Sequence, residues 1–269
     1  MAVLCRVMQV SRSGFYAWRQ RGPDDQRQAL LREVSEIHHR KRGSYGSRRM
    51  ARELRRRGYD VGRYQARSLM REAGVEARQR RRWRHTTDSE HSLPVAPNLL
   101  NRQFMVAAPN QVWVADITAI WTLEGWLYLA AVLDLHDRQL VGWAMADHMR
   151  TPLVLDALEM AVGRRQPDEG LLHHSDRGSQ YASHDYRSTL ARYGLQASMS
   201  RKGNCWDNAV MERFFGSLKS EWLAGQRYWS RQAARRDVID YIEMEYNSCR
   251  LHSTLGYQTP REIELAAAA

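Results

Sequence analysis

The chain has 269 residues, a net charge of +11, 43% hydrophobic residues and 26% charged residues. This balance is typical of a folded chain with a core, and it excludes disorder over the full length. No apolar run approaches the roughly 18 residues that a membrane span needs, so we expect no membrane segment. Three widely spaced cysteines, Cys5, Cys205 and Cys249, exclude a disulfide framework and a CxxC metal clamp, and they fit a reducing cytosol.

Positive charge is concentrated in the first third of the chain. Residues 1–95 contain 23 Lys and Arg against 10 Asp and Glu, whereas residues 96–269 contain 18 against 20. Arginine supplies 38 of the 41 basic residues, and its guanidinium group pairs with phosphate through two hydrogen bonds. The first third therefore favours nucleic acid as a partner. The alternative is a solvated basic surface.

The N-terminal part has the pattern of a small helical region. Apolar residues at positions 30, 31, 34 and 37 recur at helical spacing. After a turn at residues 43–46, Ser47 is expected to cap a helix that runs to Arg57, and Gly58 ends it. A further helix is predicted over about residues 64–73, and Gly74 stops it.

The last two of these helices, with the tight turn between them, are typical of a helix-turn-helix. Arginines line this pair of helices, and the candidates for contact with DNA are Arg48, Arg49, Arg52 and Arg56. The alternative is a small helical bundle that binds another protein.

A boundary follows this helical region. Residues 78–84 are a basic run, in which Trp83 is a candidate for stacking on bases. Three prolines, Pro94, Pro97 and Pro109, then disfavour helix and indicate an extended linker. We therefore predict a basic helical region over residues 1–84, a linker over 85–109 and a second domain over 110–269.

Strands open the second domain. Residues 111–118 alternate apolar and polar side chains, and two more apolar runs at 126–135 and 139–145 complete a predicted antiparallel meander. Thr151 and Pro152 predict the N-cap and first residue of a helix. Later elements are predicted as strands at 170–174 and 196–199 and helices at 183–193 and 207–223. This order predicts an α/β fold, a mixed sheet covered by helices.

Three carboxylates are the candidates for catalysis. Asp116 interrupts an apolar strand, where a carboxylate costs free energy unless a cation balances it. Asp176 follows a second apolar strand, and Glu212 lies on a predicted helix. At helical spacing Asn208, Glu212 and Lys219 form one stripe, so the amide supports Glu212 or touches DNA, and the lysine is either solvated or a phosphate contact.

An all-oxygen site of this kind favours Mg²⁺ or Mn²⁺ over Zn²⁺. Two such ions about 4 Å apart bind the attacking and leaving oxygens of a phosphoryl transfer, without a covalent protein nucleophile. Spacing alone is weak support, because the 20 acidic residues of positions 96–269 make many triples, most of them at the surface.

Several motifs together identify a family. WVADIT at 113–118, HSDRGSQY at 174–181 and NCWDNAVMERFFGSLK at 204–219 resemble the DDE transposases of the IS3 insertion-sequence family. The 35 residues between Asp176 and Glu212 match the D,D(35)E signature. The segments 10–18, 43–49, 246–247, 250–256 and 259–260 are also similar to the family, so the resemblance covers nearly the whole chain.

This resemblance implies a ribonuclease H-like, integrase-type catalytic core behind the helix-turn-helix region. The implied catalytic and metal-binding residues are Asp116, Asp176 and Glu212, with two Mg²⁺ or Mn²⁺ ions per site. The implied reaction is DNA strand cleavage and strand transfer at the terminal inverted repeats of an insertion sequence and at target DNA. The implied setting is the bacterial cytosol and nucleoid, as a homo-oligomer on DNA.

The family also joins this reading frame to an upstream frame by frameshifting, so the upstream-frame protein is an expected fusion or partner, and the sequence resembles the downstream catalytic frame. Retroviral integrases carry a His/Cys zinc module, which His38 and His39 do not reproduce, so we expect no zinc. Two other interpretations stay open: a non-catalytic DNA-binding regulator of the full-length transposase, and a cellular ribonuclease H-like nuclease. Arg250 and His252 bind DNA or anchor the C-terminal helix, and anchoring is favoured.

Overall fold

The computed structural model describes residues 1–20, 24–78 and 93–268. Two units can be distinguished, Met1–Arg78 and Gln79–Ala269, and each is described by itself. Trp83, most of the basic run and residues 85–92 of the predicted linker lie outside the described residues. The boundaries at 84 and 109 therefore stay a prediction.

The first unit is helical. Its helices are α1 (Ala2–Val7), α2 (Arg12–Gln20), α3 (Asp25–Arg40), α4 (Ser47–Arg56) and α5 (Arg63–Glu72). Helix α3 begins where the Asp24 carboxylate accepts a hydrogen bond from Arg27 N at 3.0 Å. The buried residues recur at helical spacing, because each helix turns one apolar stripe inwards, and they include Leu30, Val34, Ile37, Met50, Leu54 and Leu69.

An ion-pair cluster joins α3 to α4. Arg57, directly after α4, bonds Glu33 and Glu36 of α3, and it also lies 3.8 Å from Glu53. Gly58 follows with a φ of +89°, a left-handed backbone that only glycine adopts without strain, so the helix ends at the residue that the sequence indicates. Gly74, with a φ of +66°, ends α5 in the same way.

A five-stranded mixed sheet forms the centre of the second unit. Its strands are β1 (Val112–Thr122), β2 (Gly125–Asp134), β3 (Leu140–Ala146), β4 (Leu172–Ser175) and β5 (Gln196–Met199), and their order across the sheet is β3-β2-β1-β4-β5. The first three strands pair antiparallel, as the predicted meander requires. Strand β4 pairs parallel with β1, and β5 pairs parallel with β4. This mixed sheet, with its flanking helices, confirms the predicted fold class.

Helices cover both faces of the sheet. One face carries α6 (Thr151–Arg165), α7 (Ser179–Ala182) and α8 (His184–Arg192), whose core includes Trp113, Leu158 and Tyr186. The other face carries α9 (Ala209–Ser217) and α10 (Arg231–Asp240), whose core includes Val114, Phe214 and Tyr241. A final helix, α11 (Pro260–Ala268), follows the C-terminal loop.

Several predicted helix starts are wrong by one residue or more. Gly46 and Arg150 hold the extended N-cap backbone, so Ser47 and Thr151 are the first helical residues and cap nothing with their side chains. The helix predicted over 207–223 is three segments: a 3-10 turn at Cys205–Asn208, then α9, then a wider π-helical turn at Leu218–Trp222. A second π-helical segment, Tyr241–Asn247, continues α10.

Part of the predicted linker packs on the sheet and helices of the second unit. Leu100 is buried in the core, and its backbone N–H and that of Leu99 both donate to the hydroxyl of Ser198, at 3.3 and 3.0 Å. Asn98 donates to the buried carboxylate of Asp207 at 2.9 Å. The prolines keep this stretch extended, as expected, but side-chain contacts hold it against β5 and the start of α9.

Candidate active site

The pairing of the sheet brings two of the three candidate carboxylates to neighbouring strands. Strands β1 and β4 run parallel, and Val114 lies opposite His174. Asp116 lies two residues further along β1, and Asp176 is the first residue after β4. Neighbouring strands are about 4.8 Å apart. The two aspartates therefore come from neighbouring parallel strands, at the end of β4.

Backbone hydrogen bonds fix both aspartates locally. Asp116 Oδ1 accepts from Ile117 N at 2.7 Å, and Asp176 Oδ1 accepts from Gly178 N at 2.9 Å. A Cβ added at Gly178 would lie 3.0 Å from Asp176 Oδ1 and 2.8 Å from Gln180 Oε1, so a side chain at this position would displace one or both of these groups.

The third carboxylate comes from the helix that packs on the same strand. Glu212 lies in the first turn of α9. Just before this helix, Asn208 Nδ2 donates to the backbone oxygen of Ala115 at 3.1 Å. This bond ties the start of α9 to β1 at the residue that precedes Asp116. Asn208 is buried, 5% exposed, which fits support of the site rather than contact with DNA.

The charges of the three carboxylates act on one another. Burial raises the pKa of the Asp116 carboxyl well above its usual value, and the charges of Asp176 and then Glu212 add to the rise. The hydrogen bond from Ile117 and the positive charge of Lys219 oppose it. Lys219 lies half-buried in the π-helical turn, and burial lowers the pKa of its ammonium while Asp116 raises it.

Tyr181 is a buried tyrosine close to the candidate site that sequence reasoning did not single out. Its hydroxyl is buried and has no hydrogen-bond partner among the described residues. Burial raises the pKa of the Tyr181 phenol, and the charges of Asp116 and Asp176 contribute to the rise. The sequence signal is its place five residues after Asp176, within the HSDRGSQY motif, but nothing in that spacing shows that the ring turns back towards the carboxylates.

In this arrangement the carboxylates lie at one edge without forming a closed ligand set. Within the described residues, no group of three Asp, Glu, His or Cys side chains is close enough to hold a metal ion. The donor chemistry nevertheless fits a hard divalent cation, because all candidate donors are oxygens. Asn208 Oδ1 and the Tyr181 hydroxyl, both buried beside the aspartates, have no partner in that part of the chain.

Comparisons with known proteins place the chain in a family. Two models described as integrase core domain match residues 106–205 and 193–260, and an HTH-like domain matches residues 25–83. "Insertion element IS600 uncharacterized 31 kDa protein" of Shigella sonnei is 48% identical over 96% of each chain. "Transposase InsF for insertion sequence IS3A" of Escherichia coli (strain K12) is 41% identical over 97% of this chain and 92% of the relative. The chain belongs to the IS3 family of transposases.

A solved structure supports the fold. The simian T-cell lymphotropic virus intasome in complex with PP2A regulatory subunit B56 gamma aligns with a TM-score of 0.51 at 14% identity, over 86% of this chain and 73% of that chain. The transposase thus has an integrase-like core behind an HTH-like domain, and its function is DNA transposition. No helix within residues 1–20, 24–78 and 93–268 is long and apolar enough to cross a membrane.

The C-terminal signature of the transposase, the family-like residues 246–247, 250–256 and 259–260, makes contacts inside the second unit. Arg250 is buried, and its Nε and Nη2 both donate hydrogen bonds to the Glu221 carboxylate. Arg250 Nη2 also donates to Ser217 Oγ at 3.1 Å. His252 is buried beside it, with Nε2 at 3.4 Å from the guanidinium. These contacts favour anchoring over contact with DNA, although they hold the loop before α11 on the end of α9 and the turn after it rather than α11 itself.

The arginines that were predicted to contact DNA lie on α4. Arg48, Arg52 and Arg56 are exposed, whereas Arg49 is half-buried with its guanidinium 5.5 Å from the centre of the Tyr45 ring. Helix α5 also exposes Arg63, Tyr64 and Arg67. Tyr64 is 81% exposed, and Arg63 lies 6.0 Å from its ring centre.

Proposed function

We propose that the transposase cleaves DNA strands at the ends of its insertion sequence and transfers them to target DNA, with Asp116, Asp176 and Glu212 as its D,D(35)E carboxylates. The observation that supports the proposal is the placement of the acids: Asp116 lies on β1, Asp176 follows the parallel neighbour β4, and Glu212 lies on α9, which Asn208 ties to β1. Three acids that destabilise one another's charge need a cation, and the reacting group, a phosphodiester, is itself an anion.

Two Mg²⁺ or Mn²⁺ ions, when bound, would supply Lewis acidity to the attacking and leaving oxygens of the phosphodiester. Asp116, Asp176 and Glu212 would hold them through carboxylate oxygens. Asn208 keeps α9 on β1, so Glu212 stays with the two aspartates. Lys219, whose charge acts on Asp116, offers positive charge to the phosphate.

The first unit is expected to bind DNA through its phosphate backbone. In the first unit Arg48, Arg52 and Arg56 present exposed guanidinium groups from one helix, which suits contact with successive phosphates of double-stranded DNA. Arg49, stacked on Tyr45, steadies that helix and adds charge. Reaction at two ends of one element requires more than one active site, so we expect a homo-oligomer on DNA. The upstream-frame protein is a further expected partner.

Substitution of each carboxylate tests the catalytic proposal. Asp116→Asn, Asp176→Asn and Glu212→Gln should each abolish Mg²⁺- or Mn²⁺-dependent nicking and joining of inverted-repeat duplexes, while binding to the same duplexes stays measurable. Glu159→Gln, which changes an exposed acid of α6, is the matched control and should keep both. Strand transfer retained by any of the three variants would refute the assignment. Absence of nicking by the wild-type chain with either metal would favour the non-catalytic regulator.

The dependence of binding on salt tests the basic surface. Arg48→Ala, Arg52→Ala and Arg56→Ala should each reduce the slope of log K against log salt by about one unit per lost phosphate contact. Arg27→Ala is the control from the same unit, because Arg27 lies on α3 and not on α4. If all four variants leave the slope unchanged, the helices of the first unit contact protein instead of DNA.

A further inference from the structure

Trp206 is an exposed tryptophan at the edge of the candidate active site. It lies on the 3-10 turn Cys205–Asn208 and is 68% exposed, while the next two residues, Asp207 and Asn208, are 0% and 5% exposed. Tryptophan is usually largely buried, because its ring gains most from leaving water. A turn that buries its polar residues and exposes its tryptophan does the reverse of what folding alone favours.

The turn that carries Trp206 is fixed on its C-terminal side. Asp207 accepts hydrogen bonds from Asn98, from Arg102 Nε at 2.8 Å and from the backbone and guanidinium of Arg201, the shortest at 2.7 Å. Asn208 then bonds the Ala115 carbonyl. The Cα of Trp206 is two residues, at most about 7 Å of chain, from that of Asn208. The indole is therefore carried by an ordered turn, two residues before the amide that bonds β1 at the residue preceding Asp116.

The surroundings of Trp206 are basic and polar. The side chains of Arg102 and Arg201 stay 43% and 48% exposed although both pair with Asp207, so the three groups together carry surplus positive charge. Lys202, in the same loop, and Arg213, in the next helix, are also exposed. A protein partner would fit a contiguous apolar patch, whereas one aromatic ring among cations is the pattern of single-stranded nucleic-acid sites.

We propose that the Trp206 indole stacks on a nucleotide base at the DNA end that reacts at the carboxylates, while Arg102, Arg201 and Lys202 attract the adjoining phosphates. The inference rests on the proposed function, because it needs the reacting end to lie at Asp116. The ligand is an unpaired or frayed terminal base of any identity, since every base offers a π face. Stacking would hold the strand end open beside the acids.

A fluorescent base tests the stacking directly. The probe is a duplex of the element's own terminal inverted repeat with 2-aminopurine at the terminal nucleotide, bound to the full chain without divalent metal. The wild-type chain should quench the probe, Trp206→Ala should abolish the quenching, and Trp206→Phe should retain part of it. Trp206→Ala should also bind the natural end roughly ten- to a hundredfold more weakly, and this loss should vanish when the terminal base is replaced by an abasic site.

Trp229 provides the matched control. It is 80% exposed in the same unit, but its neighbour Tyr228 accepts a hydrogen bond from Leu123, which follows the end of β1. Seven residues of strand, about 23 Å, separate Leu123 from Asp116. Trp229→Ala should therefore change neither the quenching nor the affinity.

Two results would overturn the stacking role. One is quenching that persists in Trp206→Ala, and the other is an equal loss of affinity on intact and abasic ends. The thermal unfolding midpoint of Trp206→Ala should equal that of the wild-type chain, because the side chain is exposed. If the midpoint changes, Trp206→Phe is used to repeat the test. Failure here leaves the carboxylate tests untouched, and strand transfer without the carboxylates would refute the catalytic proposal whatever Trp206 does.

Discussion

Arg250 bonds both carboxylate oxygens of Glu221, each at 2.8 Å, in the interior of the second unit. Glu221 lies in the π-helical turn Leu218–Trp222, which also carries Lys219. Burial lowers the pKa of Arg250, but the charge of Glu221 and the hydrogen bonds to it outweigh that effect and raise the pKa above its usual value. The Arg250–Glu221 pair thus connects the C-terminal signature to the turn that also contains Lys219.

Removal of one partner of this pair should strongly destabilise the protein. Arg250→Met leaves the Glu221 carboxylate buried and unpaired, so we expect a loss of about 3–5 kcal/mol in the free energy of unfolding. The double variant Arg250→Met with Glu221→Leu should recover most of that loss, because neither charge remains in the interior. Denaturant unfolding of the two variants measures both effects.

An exposed ion pair is the control for this prediction. Arg192 lies 3.5 Å from Glu159, and both side chains are more than half exposed. Arg192→Met should cost less than about 1 kcal/mol, since water screens the pair. Equal losses for the two arginines would contradict the structural role of Arg250.

Loss of the Asn208 amide should lower strand cleavage, because this amide holds α9 on β1. Asn208→Ala leaves the Ala115 carbonyl without its donor, which should cost about 1–2 kcal/mol and lower strand cleavage more than DNA binding. Asn208→Asp should be worse, because a carboxylate at this position repels the carbonyl oxygen and the three acids. Gln232→Ala, an exposed amide of α10, is the control for both assays. Binding and cleavage reduced equally would contradict a positioning role.

Addition of one methyl group at Gly178 should displace Asp176. The φ of Gly178 is −59°, so alanine fits the backbone, and any effect comes from the short contacts of the new Cβ with Asp176 and Gln180. We expect Gly178→Ala to lower strand cleavage at least tenfold while the protein stays folded. Gly163→Ala in α6, where a Cβ meets nothing within 4 Å, should leave cleavage unchanged and stabilise the helix by up to about 1 kcal/mol.

Acid should destabilise the protein through His173. Burial lowers the pKa of the His173 imidazole to about 3, and its Nε2 lies 3.1 Å from the Tyr186 hydroxyl. The stability that neutral His173 supplies is present above the unfolded pKa of about 6.5 and is lost as the pH falls towards about 3. The wild-type chain should therefore lose about 1.4 kcal/mol per pH unit below pH 6 relative to His173→Gln.

Unfolding by denaturant at several pH values measures this difference. Tyr186→Phe is the companion variant, because it removes the hydroxyl and keeps the buried imidazole. It should follow the slope of the wild-type chain, at a lower stability throughout. Parallel curves for the wild-type chain and His173→Gln would show that this imidazole stays out of acid unfolding.

The local elements were within reach of sequence reasoning. Apolar alternation around Asp116 predicted a strand, and left-handed Gly58 and Gly74 end α4 and α5 where their positions indicated. The helix over 207–223 was predicted as one regular element, because periodicity does not distinguish a π-helical turn from an α-helix. The buried contacts of Glu221 and Trp222 accompany that turn, and they involve residues far along the chain.

The sequence by itself determined the types of element, the concentration of arginine before residue 96 and the motifs that contain Asp116, Asp176 and Glu212. These features are encoded by neighbours within a turn or two of chain, where periodicity and residue chemistry are sufficient. Tertiary structure alone decided the β1–β4 pairing that brings the two aspartates to neighbouring strands, the bond from Asn208 to Ala115 and the exposure of Trp206. Each of these depends on segments 60 or more residues apart, whose pairing is fixed only when the whole core packs.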